Sequence, residues 1–136
     1  MTDNILRVGI IGADAGASWA GASHVPALRQ PGLQLAAVAT RRETSARAAA
    51  EAFGVAKWHA DPMALIADPD IDIVTVAVKV PAHRDLVMAA LKAGKAVYSE
   101  APLGASLAET AEMAEAARGR HTAIGLQGRH NPSARR

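Results

Sequence analysis

The stretch GIIGADAGASWAGASH, residues 9–24, decides how the chain is read. The apolar run Arg7–Ile11 has the length and composition of a short buried β-strand, and glycines follow it at once. Gly12 leaves the strand, Gly16 comes four residues later and Gly21 falls beyond, with Ser18 and Ser23 available as hydroxyl donors. A phosphate-binding turn needs glycine so that backbone can approach a pyrophosphate, and needs a following helix whose first N–H groups face the anion. The regular G-x-G-x-x-G spacing is absent, so a turn that holds no ligand stands as the alternative at this stage.

On the C-terminal side, short apolar runs alternate with helical stretches, the pattern of an α/β domain on a parallel sheet. Strands are expected at Arg7–Ile11, Leu35–Thr40, Ala56–Trp58, Ile73–Val78, Ala96–Ser99 and Thr122–Leu126. The helices between them have readable ends. RETSARAAAEAFG stops at Gly54; DPMALIAD offers Asp61 as N-cap and Pro62 in the first turn; HRDLVMAALKAG stops at Gly94. SLAETAEMAEAARG opens with Ser106 and Glu109 at capping-box spacing and closes at Gly119. Strand and helix alternating to a sixth strand predict a doubly wound parallel sheet, a Rossmann fold, in a single domain. Its ligand edge would gather residues 12–24, 40–43, 79–83 and 100–104.

Length and composition set bounds on function. The 136 residues, half of them hydrophobic, suffice for one core but not two. The 15 Lys and Arg are scattered and the formal net charge is +2, which gives no basic run for nucleic acid. No apolar stretch reaches the ~20 residues of a spanning helix, and the opening Met-Thr-Asp-Asn is not a secretory signal. The absence of cysteine excludes disulfides and fits a cytoplasmic chain. The five histidines show no pair at metal-ligand spacing, so no metal is expected.

The end of the second strand points to a cofactor. An NAD site places Asp or Glu there for the ribose 2′-hydroxyl, whereas a 2′-phosphate calls for positive charge. No acidic residue occurs from Ala15 through Arg42, and the strand runs into Thr40, Arg41 and Arg42. A guanidinium can pair bidentately with phosphate and stack on adenine, so this end favours NADP, with NAD as the lesser possibility.

At YSEAPLGASL the chain resembles a known family. Together with HVPAL (24–28), PAHRDLVMAALKAGKAV (81–97) and the closing GLQGRHNPSARR, these residues are similar, in the same order, to the N-terminal NAD(P)-binding domain of the Gfo/Idh/MocA oxidoreductases. The long first turn with Trp19 and His24, the Glu-x-Pro-Leu without lysine, and LQGR look most like the branch containing the fungal galactose-pathway repressor. The family carries Glu-Lys-Pro-Leu where this chain has Glu100-Ala101-Pro102-Leu103. An alanine methyl can neither donate a proton nor stabilise an alkoxide, so the resemblance leaves the catalytic residue unknown, with Lys79 a candidate substitute.

The resemblance implies an NADP(H)-binding domain of an oxidoreductase acting on a sugar or polyol, not catalytically complete alone. The expected cofactor-binding residues are Gly12, Ala13, Gly16, Ser18, Trp19, Thr40, Arg41, Arg42, Lys79, Glu100 and Pro102. His24 and His83 read as structural. Residues 1–128 are expected to form the nucleotide-binding domain and 129–136 to begin the connection to a substrate domain that the chain lacks. The alternative is a non-catalytic cofactor sensor or interaction module. Without the second domain, apolar surface near Thr122–Leu126 should be exposed, and a homodimer or domain-swapped assembly would cover it.

Overall fold

A computed structural model describes residues 4–16 and 18–134, so Met1–Asp3, Ala17 and the two arginines at the end of the 129–136 segment lie outside the described residues. The six expected strands form one parallel sheet in the order β3-β2-β1-β4-β5-β6, comprising β1 (Leu6–Ile11), β2 (Leu33–Ala39), β3 (Lys57–His59), β4 (Ile73–Val76), β5 (Ala96–Glu100) and β6 (Thr122–Gly125). The direction of winding reverses at β1, which pairs with β2 on one side and β4 on the other. Adjacent side chains on a strand point to opposite faces, and Ile10 and Ile11 accordingly enter two separate cores. Ile10 packs with Val38, Ala49 and Ala50 beneath α2 (Glu43–Phe53), after the short α1 (Val25–Ala27). Ile11 packs with Leu65, Leu86 and Met113 beneath α3 (Pro62–Ala67), α4 (His83–Lys92) and α5 (Leu107–Ala116). Burial on both faces explains why the strands read as continuous apolar runs.

Every strand differs from the expectation by one or two residues at one end or both, and at the ends of β2 and β4 the reason is local. β2 stops at Ala39 because the Thr40 hydroxyl turns onto the Arg42 carbonyl (2.8 Å). β4 stops at Val76 and not Val78: the Val78 carbonyl faces the His83 ring at 2.8 Å, and the chain then turns through Val80–Ala82. β3 begins one residue late at Lys57, which pairs with Ala37. The helix ends follow the local signals. Asp61 accepts from the Met63 N–H (2.9 Å), Gly54 ends α2 at φ 69°, and Ser106 accepts from the Glu109 N–H (3.2 Å) while Glu109 accepts from Ala105 N–H (2.9 Å). At the far edge of the sheet, Ile124 and Leu126 are exposed, as the apolar surface expected there requires. Among the described residues, no helix is long and apolar enough to cross a membrane, and no acid–histidine cluster is arranged to hold a metal ion.

Opposite the ligand edge, charged groups tie the strands together. Arg7 donates through its backbone N–H (2.8 Å) and Nε (3.0 Å) to Asp72. Asp68, with only 5% of its side chain exposed, meets Lys57 Nζ at 2.8 Å and His59 Nε2 at 3.1 Å, and accepts the Asp70 N–H at 2.9 Å. Burial works to raise the pKa of Asp68, but Lys57, the Asp70 amide and His59 outweigh it and hold the carboxyl at about 2. An unfolded Asp titrates near ~3.9, so this carboxylate stabilises the fold above that pH, and the contribution disappears as the pH falls towards 2. The contribution is on the order of 2 kcal/mol. Asp68→Asn should therefore lower stability at pH 7 by about that amount and flatten the acid limb, measured by urea unfolding between pH 7 and pH 2. Unchanged stability at neutral pH would refute the assignment.

Candidate functional site

The reversal at β1 opens a cleft of about 1030 Å³ at the C-terminal ends of β1, β2 and β4. Its floor begins at Gly12, whose φ of 92° is left-handed and whose position allows no side chain: an added Cβ would lie 2.3 Å from the Ala77 carbonyl oxygen. The turn beyond is wound on Asp14, whose carboxylate accepts the Gly16 N–H (2.9 Å) and whose carbonyl accepts the Ser18 hydroxyl (2.6 Å). A π-helical turn, Ala20–His24, then leads into α1. Gly21 lets this turn approach α2, since a Cβ there would sit 3.2 Å from the Phe53 ring.

The second wall comes from the end of β2. The hydroxyls of Thr40 and Ser45 lie 2.7 Å apart and both turn onto the Arg42 carbonyl, shaping the entry to α2. The guanidinium groups of Arg41 and Arg42 are thereby left at the cleft surface. Lys79 stands at the exit of β4, and among the described residues the side chains of Arg41, Arg42 and Lys79 have no hydrogen-bond or ion-pair partner. Three cations facing one cleft without carboxylate partners suit an anionic ligand. Trp19 (48% exposed) and Met63 (44% exposed) add apolar surface to the walls.

The expected site residues thus divide into two groups. Gly12, Ser18, Trp19, Thr40, Arg41, Arg42 and Lys79 line the cleft. Ala13 is fully buried in the core beneath α2, Gly16 is exposed with its amide engaged by Asp14, and Glu100 and Pro102 lie outside the cleft walls. Asp14 lines the cleft and went unnoticed in the sequence, although Asp two residues before Gly in a turn is a readable signal for a side-chain-capped turn.

Glu100 instead takes part in a buried polar group. One of its carboxylate oxygens meets His24 Nε2 and the other accepts Gln127 Nε2 at 3.1 Å, while the His24 ring meets Tyr98 edge-on at 5.3 Å. Burial and the Glu100 charge both raise the Tyr98 phenol pKa above its ordinary value. His83 is structural as expected. Its buried ring lies 2.8 Å from the Val78 carbonyl and 3.1 Å from those of Pro102 and Leu103, joining the exits of β4 and β5. The Ala101–Pro102 peptide bond is cis.

Residues 6–127 match the GFO_IDH_MocA family, described as an oxidoreductase family with an NAD-binding Rossmann fold. An inositol 2-dehydrogenase of Acidothermus cellulolyticus is 34% identical over 97% of this chain and 39% of its own length. KijD10, a 3-ketoreductase of Actinomadura kijaniata solved with NADP and TDP-benzene, superposes with a TM-score of 0.85 at 32% identity, over 97% of this chain and 40% of that one. A super-repressor mutant of Gal80p from Saccharomyces cerevisiae superposes with a TM-score of 0.80 at 28% identity, over 93% of this chain and 36% of that one. The chain therefore spans about two fifths of the length of the relatives it matches.

Proposed function

The chain belongs to the Gfo/Idh/MocA oxidoreductase family as an NAD-binding Rossmann domain, and on that premise we propose that it binds NADP(H) and serves an oxidoreductase acting on a sugar or polyol. The observation that carries the reading is the convergence of unpartnered Arg41, Arg42 and Lys79 on a cleft whose floor, at Gly12, admits no side chain. Such a floor suits close approach of a pyrophosphate. Where an NAD site presents a carboxylate after β2, this chain has Thr40, and the nearest following acid, Glu43, is engaged by Arg47 at 3.1 Å. The 2′-phosphate would therefore meet two guanidinium groups at the end of β2.

The cofactor, when bound, supplies a hydride carrier. In this chain Gly12 and Ser18 would receive its pyrophosphate, Arg41 and Arg42 its 2′-phosphate, and Trp19 would shield one side. Ala101 offers no proton at the position of the family lysine, and Lys79, which lines the cleft, is the candidate ammonium in its stead. A non-catalytic cofactor sensor is the second reading, favoured by Ala101 and by the likeness to Gal80p. Turnover of a sugar panel that appears on Ala101→Lys would favour a decayed enzyme, whereas tight binding without turnover in either form would favour the sensor. Cytoplasmic residence and a second copy of the chain over Ile124 and Leu126 belong to the same proposal, and light scattering reads the assembly directly.

Calorimetric titration tests the cofactor assignment. NADPH should bind at micromolar concentration and NADH at least about tenfold more weakly, the discrimination expected from one charge-assisted phosphate contact. Equal affinities would overturn the NADP assignment, and no binding of either nucleotide would overturn the cofactor reading itself.

A further inference from the structure

Within the turn from Gly12 to Trp19 the Asp14 N–H meets the Gly12 carbonyl (3.0 Å), and beyond it the described residues are joined through Asp14 to Gly16 and Ser18, two contacts exposed to solvent. Its shape therefore depends on where its C-terminal end is fixed. That end is the π-helical turn Ala20–His24, and its last residue reaches past β4, the direct neighbour of β1, to the end of β5. There His24 Nε2 meets the Glu100 carboxylate, each side chain only 11% exposed. Glu100 is held in turn by Gln127 from the segment after β6, and His24 rests edge-on against Tyr98. Tyr98 cannot shift freely towards β6, because its hydroxyl lies over Gly125, where an added Cβ would fall 2.2 Å away. Neither His24 nor Glu100 lines the cleft.

We propose that His24 and Glu100 form a latch that fixes the first turn against the end of β5, so that pyrophosphate affinity depends on a positioning pair outside the cleft. A buried pair of this kind suits the role, because removing one partner leaves the other without compensation in a site that water reaches poorly. The binding half of the inference rests on the cofactor reading above, whereas the latch itself does not.

The test uses the full chain with Glu100→Ala and, should that variant fail to fold, His24→Ala, which removes the ring contact and leaves Glu100 its Gln127 partner. Hydrogen exchange in the free protein should quicken about tenfold at residues 12–24 and stay unchanged in β1 and β4. NADPH should bind about tenfold more weakly, the loss expected for one charge-assisted contact. By contrast adenosine 2′-monophosphate, which carries the 2′-phosphate and no 5′-phosphate, should bind as it does to the parent. Unchanged exchange at residues 12–24 overturns the latch, as does an equal loss for both ligands. If the parent chain binds neither ligand, the cofactor reading fails, and exchange confined to residues 12–24 still upholds the latch.

Discussion

Gly12→Ala should cost roughly 2–5 kcal/mol of folding stability and abolish NADPH binding at concentrations that saturate the parent chain. Two effects add at this position. The φ of 92° lies beyond even the small left-handed region open to ordinary residues, a conformational cost of about 1–2 kcal/mol. The new methyl would also fall 2.3 Å from the Ala77 oxygen, 2.8 Å from the Ala77 carbonyl carbon and 2.8 Å from Val78 Cγ1. Most of that obstacle is backbone held in register by the Ala77 N–H bond to the Ile11 carbonyl, so β1 and β4 must part for the methyl to fit. Overpacking of this kind costs about 1–3 kcal/mol, and the displacement occurs at the cleft floor. Gly32→Ala isolates the conformational part, since Gly32 has a φ of 88° with nothing within 4 Å of an added Cβ. Denaturant unfolding of both variants should place Gly12→Ala several-fold further from the parent than Gly32→Ala. Equal losses would mean that the contact with Ala77 is unimportant.

Removal of both guanidinium groups, Arg41→Ala with Arg42→Ala, should weaken NADPH binding about 100-fold and NADH binding less than about threefold. Hydrogen bonds to charged groups contribute about 1.5–3 kcal/mol, and a fixed phosphate can engage both side chains. Because neither side chain has a partner to lose and both are exposed, thermal stability should stay within ~0.5 kcal/mol of the parent. Calorimetry with the two nucleotides checks the selectivity, and a parallel loss for NADH would show that the arginines hold something other than the 2′-phosphate. The unchanged melting curve separates this result from that at Gly12, where affinity and stability fall together.

The fold was legible because its main signals are local. Buried runs such as Ile73–Val76 and alanines at helical spacing, as at Ala46, Ala49 and Ala50, announce strand and helix without tertiary context. Asp61, Ser106 and Gly54 mark helix ends by chemistry confined to a few residues. In the cleft, Thr40, Arg41 and Arg42 were readable because a missing acid after β2 is itself a sequence feature. The rest depends on distant partners. The crowding at Gly12 comes from Ala77, the early end of β4 from His83, and the engagement of Glu100 from a histidine 76 residues away. No periodicity or spacing encodes such pairings, and the family motif that names Glu100 and Pro102 does not reveal that both lie outside the cleft walls.

The central position of β1 also has a kinetic consequence. Its pairing with β2 joins segments close in sequence, but its pairing with β4 must wait for residues such as Asp72, 65 positions beyond Arg7. On a chain emerging during synthesis, β1, β2 and β3 can assemble while the other edge of β1 still lacks its neighbour. Bringing β4 home closes a long loop before any contact rewards it, the step that makes parallel sheets slow. The cleft lies across that late seam, so the chain gains its ligand-binding shape only when its two halves meet.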